Sequence, residues 1–310
     1  MGLGASLVAV MVNMAESVAF RCERRVLMSI AVIAIASALG CGPGTAFDRL
    51  TDARRLSAEL LIQFTRASNA ANQAVMADTD EASIAFAKQA DERKKQVQAD
   101  VDALRPLLHD LNYGEETRLL DEFVTAFMAY RDLDGRILVL AVENTNLKAQ
   151  RLSFGECQQA ADAFAQALNA IVPAVPAGDT WRVRALVASA VADLRAIQVA
   201  QAPHIAEADE AVMTRIEQQM KTSETAVRSA LDSLQPLVPS AARPRLAEAR
   251  AAFDRFMSLN AQIVELSRRN TNVRSLMLTL NEKGKATIAC EQSLRALQDA
   301  LAKRGAGGSR

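Results

Sequence analysis

The residues that could carry chemistry in this chain are few, and their spacing narrows what that chemistry is. Of the four cysteines, Cys22, Cys41, Cys157 and Cys290, no two form a Cys-x-x-Cys, so neither a zinc nor a dithiol redox motif is spelled out. His109 and His204 lie far apart and have no metal-ligand spacing. Carboxylates are plentiful, but none is marked out as a catalytic pair. Nucleophile-elbow, phosphate-loop, dinucleotide, zinc-protease and calcium-loop patterns are missing. The expectation is a protein that is not an enzyme, with no cofactor and no metal. What remains is a set of amides and guanidinium groups: Asn144, Asn146, Asn270 and Asn272, with Arg151 and Arg274, and with Arg268 and Arg269 nearby. Amides of this kind can line a small-ligand pocket, and a guanidinium there can hold a carboxylate.

The elements that must position these residues are helices. Half of the residues are apolar but only 4% are aromatic, alanine dominates, and charges are spread evenly, a profile of long helices. The 36 basic and 36 acidic side chains balance, so no large field would gather nucleic acid. From Phe47 to Leu104 there is neither Gly nor Pro, and apolar residues recur at helical spacing through Leu111. Asn112-Tyr113-Gly114 breaks the pattern and Glu115-Glu116 suits a helix start. A second helix runs to about Val172. Pro173, Pro176 and Gly178 make a turn, a third helix runs to about Val238, and after Pro239-Ser240 a fourth runs to about Lys303.

The second half repeats the first. Asn144-Thr145-Asn146 returns as Asn270-Thr271-Asn272, 126 residues on (270 − 144). The same step pairs Leu120 with Leu246, Phe127 with Phe253, Tyr130 with Phe256 and Ile137 with Ile263. Two helical hairpins, 45–172 and 179–303, are expected to bury their stripes against each other as an all-α, elongated antiparallel four-helix bundle, with helices of roughly 60 residues and a length of about 90 Å. Residues 304–310 read as a disordered tail.

In this frame Asn144 and Asn270 interrupt apolar stripes at equivalent heights. Asp78, Asp80, Glu207 and Asp209 fall near the same level, Pro203 should kink its helix, and Gly155 should loosen its own. Two readings of this layer stand side by side. It lines a ligand pocket, or it sets the register of the helices; buried Asn is best attested in the second role. Cys157 and Cys290 read as buried thiols, since diagonal helices would hold them apart, with a disulfide in an oxidising compartment as the alternative. Trp181 suits packing at the basal turn, and the run Asp91-Glu92-Arg93-Lys94-Lys95 a solvated face.

The first forty residues read as a targeting segment. Val26 to Gly40 is apolar, shorter than a membrane span, and follows Arg21, Arg24 and Arg25. It ends in Ser37-Ala38-Leu39-Gly40-Cys41, which resembles a bacterial lipobox with Cys41 as the lipidated residue. Residues 1–41 are therefore expected to be a signal peptide, with translation starting at Met11 or Met14 as a variant, and the remainder to face the periplasm of a bacterial cell envelope. A single uncleaved membrane helix and ordinary cleaved secretion are the alternatives.

The stretches Ser68-Asn69, Asp78-Thr79-Asp80-Glu81, Leu119-Leu120-Asp121-Glu122-Phe123 and Asn144 through Ser153, with Ser267 through Leu276, resemble the four-helix-bundle sensing domain of methyl-accepting chemotaxis proteins. The resemblance covers about residues 45–303. It implies a small organic acid or amino acid as ligand, grasped by Arg residues, and a homodimer. The sequence stops without a second membrane helix or signalling domain, so sensing would pass to a membrane receptor or kinase. The competing expectation is a scaffold lipoprotein of the envelope with no small-molecule ligand.

Overall fold

A computed structural model describes residues 46–306. The expected signal segment with Cys41, and residues 307–310 of the expected tail, lie outside the described residues. Those described are mostly helical, with no strand among them. No helix among them is long and apolar enough to cross a membrane. Contacts divide the chain into a unit ending at Asp52 and a unit beginning at Ala53. Of the first, Ala46–Asp52 are described; they open helix α1, and Thr51 Oγ1 donates to Phe47 O (3.0 Å).

The expected unbroken helix from Phe47 to Leu104 is two helices, α1 (Ala46–Met76) and α2 (Asp80–Asp110). The break is written in polar residues. Thr79 is extended, and its side chain accepts from the Ala82 N–H at 3.1 Å. Asp80 and Glu81 fill the first turn of α2, where the helix dipole favours them. Ser83 Oγ then reaches back to Ala74 O at 2.9 Å and locks the hairpin. The third expected helix breaks in the same way, into α6 (Thr180–Ala206) and α7 (Glu210–Leu234). Asp209 caps the N–H groups of Ala211 and Val212, while Pro203 sits inside α6 without ending it. The capping residue, not the proline, sets this boundary.

The second and fourth expected helices are longer paths with interruptions. One comprises α3 (Gly114–Glu143), α4 (Thr145–Leu152), a π-helical turn (Ser153–Cys157) and α5 (Gln158–Asn169). The other comprises α8 (Arg243–Arg269), α9 (Thr271–Leu278), a π-helical turn (Thr279–Lys283) and α10 (Gly284–Ala306). The interruptions repeat with the 126-residue step that separates the matched residues Thr145 and Thr271.

Side-chain bonds between helices order them. Arg93 on α2 donates to Gln63 on α1. Lys94 on α2 meets Asp134 on α3 at 2.6 Å, and Lys283, in the turn leading into α10, meets Asp134 at 2.8 Å. Arg304 on α10 pairs with Glu116 on α3, and Arg54 on α1 donates to Leu301 O on α10. Neighbours thus run antiparallel among α1, α2, α3 and α10. In the same way α5 meets α6 through Asp162–Arg195, α6 meets α7 through His204–Glu217, and α7 meets α8 through Arg228–Asp254. Each repeat lends its last helix to the other: α5 packs with the second repeat and α10 with the first.

Burial follows the apolar stripes. Phe64, Phe123, Phe127 and Tyr130 are fully or almost fully buried, with Phe64 edge-on to Tyr130 (centroids 5.1 Å) and Phe123 stacked on Phe127 (5.5 Å). Each residue of the pairs Leu120/Leu246, Phe127/Phe253, Tyr130/Phe256 and Ile137/Ile263 is buried, as one duplicated stripe requires. After α2, Asn112 takes a left-handed conformation (φ 53°), and Tyr113 N–H returns to Leu108 O. Asn tolerates this conformation better than other non-glycine residues, and it closes the helix with a Schellman-type cap.

Candidate functional site

Both long paths bend where an asparagine sits left-handed, Asn144 (φ 50°) and Asn270 (φ 53°). Neither side chain caps the helix it opens, so the first N–H groups of α4 and α9 need acceptors from elsewhere. Each helix takes them from the other. Thr145 N–H donates to Thr271 Oγ1 and Thr271 N–H to Thr145 Oγ1, both at 3.1 Å. Asn146 N–H donates to Asn272 Oδ1 and Asn272 N–H to Asn146 Oδ1, again both at 3.1 Å. The outer pair completes the layer: Asn146 Nδ2 donates to Asn270 Oδ1 (2.7 Å), and Asn272 Nδ2 to Asn144 Oδ1 (2.8 Å). The bonds are related by an approximate two-fold. Two further donations tie the layer to the end of α6, Asn146 Nδ2 to Ile205 O and Asn270 Nδ2 to Glu207 O.

Of the six sequence candidates, the four asparagines therefore come together and spend most of their hydrogen bonds on one another. The arginines do not join them. Arg151, half exposed, donates to Asp78 O (3.2 Å) and lies 3.5 Å from the Asp80 carboxylate. Arg274 is exposed. Arg268 is held by Glu217 and Thr214, and Arg269 by Glu143. Asp78, Asp80, Glu207 and Asp209, expected as parts of a polar layer, lie at the hairpin turns. There Asp209 caps α7, and Glu207 accepts from the N–H groups of Ala208 and Asp209.

Against this layer lies a cavity of about 270 Å³. Its walls are Leu147, Phe154, Ile205 and Val273, and Asn146 and Asn272 also line it. No charged side chain contributes to it. It touches α4, its π-helical turn, the end of α6 and the start of α9, so an occupant would contact both repeats. Phe154 stands largely exposed at its edge. The π turn supplies that wall, and such turns recur at functional sites because they re-aim side chains without ending the helix.

A second polar locus escaped the sequence reading. Asp134 is fully buried and sits between two lysines, Lys94 (2.6 Å) and Lys283 (2.8 Å). Asp91 also meets Lys94, at 2.8 Å, which balances the charges. Lys283 Nζ lies 5.6 Å from the centre of the Tyr130 ring. Burial pushes the Lys283 ammonium below the ordinary lysine value and the Tyr130 phenol far above its own. The available signal was register: Asp134 lies four residues after Tyr130 and three before Ile137, on the buried stripe itself. Reading Lys94 as part of a solvated run missed that its side chain turns inward.

Cys157 and Cys290 are buried free thiols. Burial raises both, Cys290 to about 12, which leaves them weak nucleophiles. Trp181 is mostly exposed, not packed into the basal turn. Among the described residues no cluster of three or more His, Cys, Asp or Glu could hold a metal ion. Comparison with known proteins gives no match to any family model, to any curated protein or to any solved structure.

Proposed function

We propose that this chain is a sensor-type protein of the bacterial envelope, anchored by a lipid on Cys41 and facing the periplasm, that binds a small ligand and signals through a membrane receptor or kinase. In this reading the two sets of four helices are antiparallel four-helix bundles, possession of which gives the ligand two rigid bodies to act on. One observation carries the reading: the cavity lies where both long helical paths bend and cap each other, so a ligand there contacts both repeats at once. A ligand shifts a two-state junction only if it binds one arrangement better than the other, and a cavity shared between α4, α6 and α9 supplies such a difference.

The test is a thermal-shift screen of the full chain against amino acids, organic acids and neutral metabolites. A binding ligand raises Tm by mass action, by an amount equivalent to about 2.7 kcal/mol at a hundred times Kd. The reading fails if a broad library gives no hit. Radiolabelled palmitate incorporation that is lost in Cys41→Ser supports the anchor; its absence in the unaltered chain removes it.

The scaffold reading has an observation of its own. Met128 and Val139, both exposed on α3, are eleven residues apart and so share one helix face. A pulled-down envelope protein released by charged substitutions at both positions, with no small ligand found, favours that reading.

A further inference from the structure

The cavity beside the asparagine layer also limits what can enter it. Because this rests on the sensor reading, the inference sharpens that reading without replacing it. We propose that the cavity is a binding site for an uncharged, mostly apolar small molecule, of about one ring, bearing a single amide or hydroxyl group.

Three observations point there. First, every side chain lining the cavity is neutral, and burying an unpaired carboxylate or ammonium costs far more than apolar contact returns. Second, no guanidinium group lines the cavity, Arg274 being exposed outside it. Arg151 is held at Asp78 and Asp80, and Arg268 at Glu217. Third, the polar groups left for a ligand are few and suited to a neutral partner. Ser153 Oγ spends its hydrogen on Gln201 Oε1 (2.7 Å) and keeps its lone pairs as acceptors. The exposed Gln150 amide, which also lines the cavity, offers a donor and an acceptor at the mouth. Apolar walls with a small number of such groups are the usual composition of a small-molecule site, and a volume of about 270 Å³ suits one ring with a short substituent.

The experiment compares four probes that share a ring and differ in charge: benzamide, benzyl alcohol, benzoate and benzylammonium. Ligand-observed NMR on the full chain reads binding, and Tm reads linkage. The neutral pair should bind at least about tenfold more tightly than the charged pair, a difference of about 1.4 kcal/mol. Ala202→Trp fills the cavity from an exposed position and should abolish binding, with the helical circular dichroism unchanged. Should that variant misfold, Phe154→Ala removes an exposed wall and should weaken the neutral probes alone. Tighter binding of benzoate or benzylammonium overturns the proposed class and leaves the sensor reading standing. Binding of the neutral pair that neither variant alters overturns the site. Failure of all four probes overturns this proposal, while the sensor reading then falls only if the broad metabolite screen is also blank.

Discussion

The two repeats build the same stripe around opposite chemistries. In the first, Asp134 is fully buried between Lys94 and Lys283, beneath Tyr130. In the matching layer of the second, Asn260 replaces the aspartate, Phe256 the tyrosine, and Cys157, lent by the first repeat, replaces Lys283, each 126 residues away, as Thr145 is from Thr271. There Gln201 Nε2 donates to Asn260 Oδ1 (2.8 Å) and approaches Cys157 Sγ (3.3 Å), so the second core is satisfied by neutral amides. The lesson is that one backbone accommodates either an ionised or a neutral polar layer, provided every member changes together. A lone swap would leave a buried charge without its partner.

The largest test of that contrast is Asp134→Asn. It strands Lys283, leaves Lys94 with Asp91 alone, and should cost about 3–5 kcal/mol, read from urea midpoints. Adding Lys283→Cys, so that both positions take the residues of the matching neutral layer, should recover a large part of the loss. A double-mutant cycle in which the two changes simply add would break the comparison. Asn260→Asp, the reverse change, should destabilise the second repeat because no cation waits for it.

Next in size are the mutual caps. Thr145→Val and Thr271→Val remove reciprocal acceptors at 3.1 Å and should each cost about 1–2 kcal/mol. The two-fold relation demands nearly equal losses; a clear inequality would show that the junction is not symmetric in energy. The hairpin caps come after: Thr79→Ala and Asp209→Ala should each cost about 1 kcal/mol.

The smallest effects concern pH. Arg304 holds Glu116 in the first repeat below the ordinary carboxylate value of 4.5, and Arg268 does the same for Glu217 in the second. A carboxylate lowered on folding adds stability that is complete above 4.5 and is lost as pH falls through the lowered value. Both Glu116→Gln and Glu217→Gln should therefore flatten the acid limb. Lys283 acts on one repeat alone. Its folded value lies below 10.5, so the unfolded chain holds a proton that the folded one releases, and stability rises with pH between the lowered value and 10.5. Lys283→Met, which removes the titrating group, should abolish that rise, measured as urea midpoints across the alkaline range.

Much of the fold was legible because its signals are local. The duplicated stripe, the turn at Asn112 and the paired Asn-Thr-Asn segments all survive in the structure. The breaks at Thr79 and Asp209 were written in capping residues, but a 3.6-residue period, free of Gly and Pro around Thr79, masked the first, and Pro203 drew attention from the second. The candidate site was legible in part. The asparagines do converge, yet Arg151 and Arg268 turn away to nearby acidic and carbonyl groups that sequence distance conceals. Asp134 lay open to detection by register, and Lys283 did not, because its partner is on another helix.

The sequence by itself determined the helical class, the duplication and which face of each helix is buried, since periodicity and capping act within a few turns. Only the tertiary structure decided that each repeat hands its last helix to the other, that Thr145 and Thr271 cap each other's helices, and that Lys283 meets Asp134. Those outcomes depend on which buried polar group finds a partner across more than a hundred residues, and the cost of leaving one unpaired fixes the pairing.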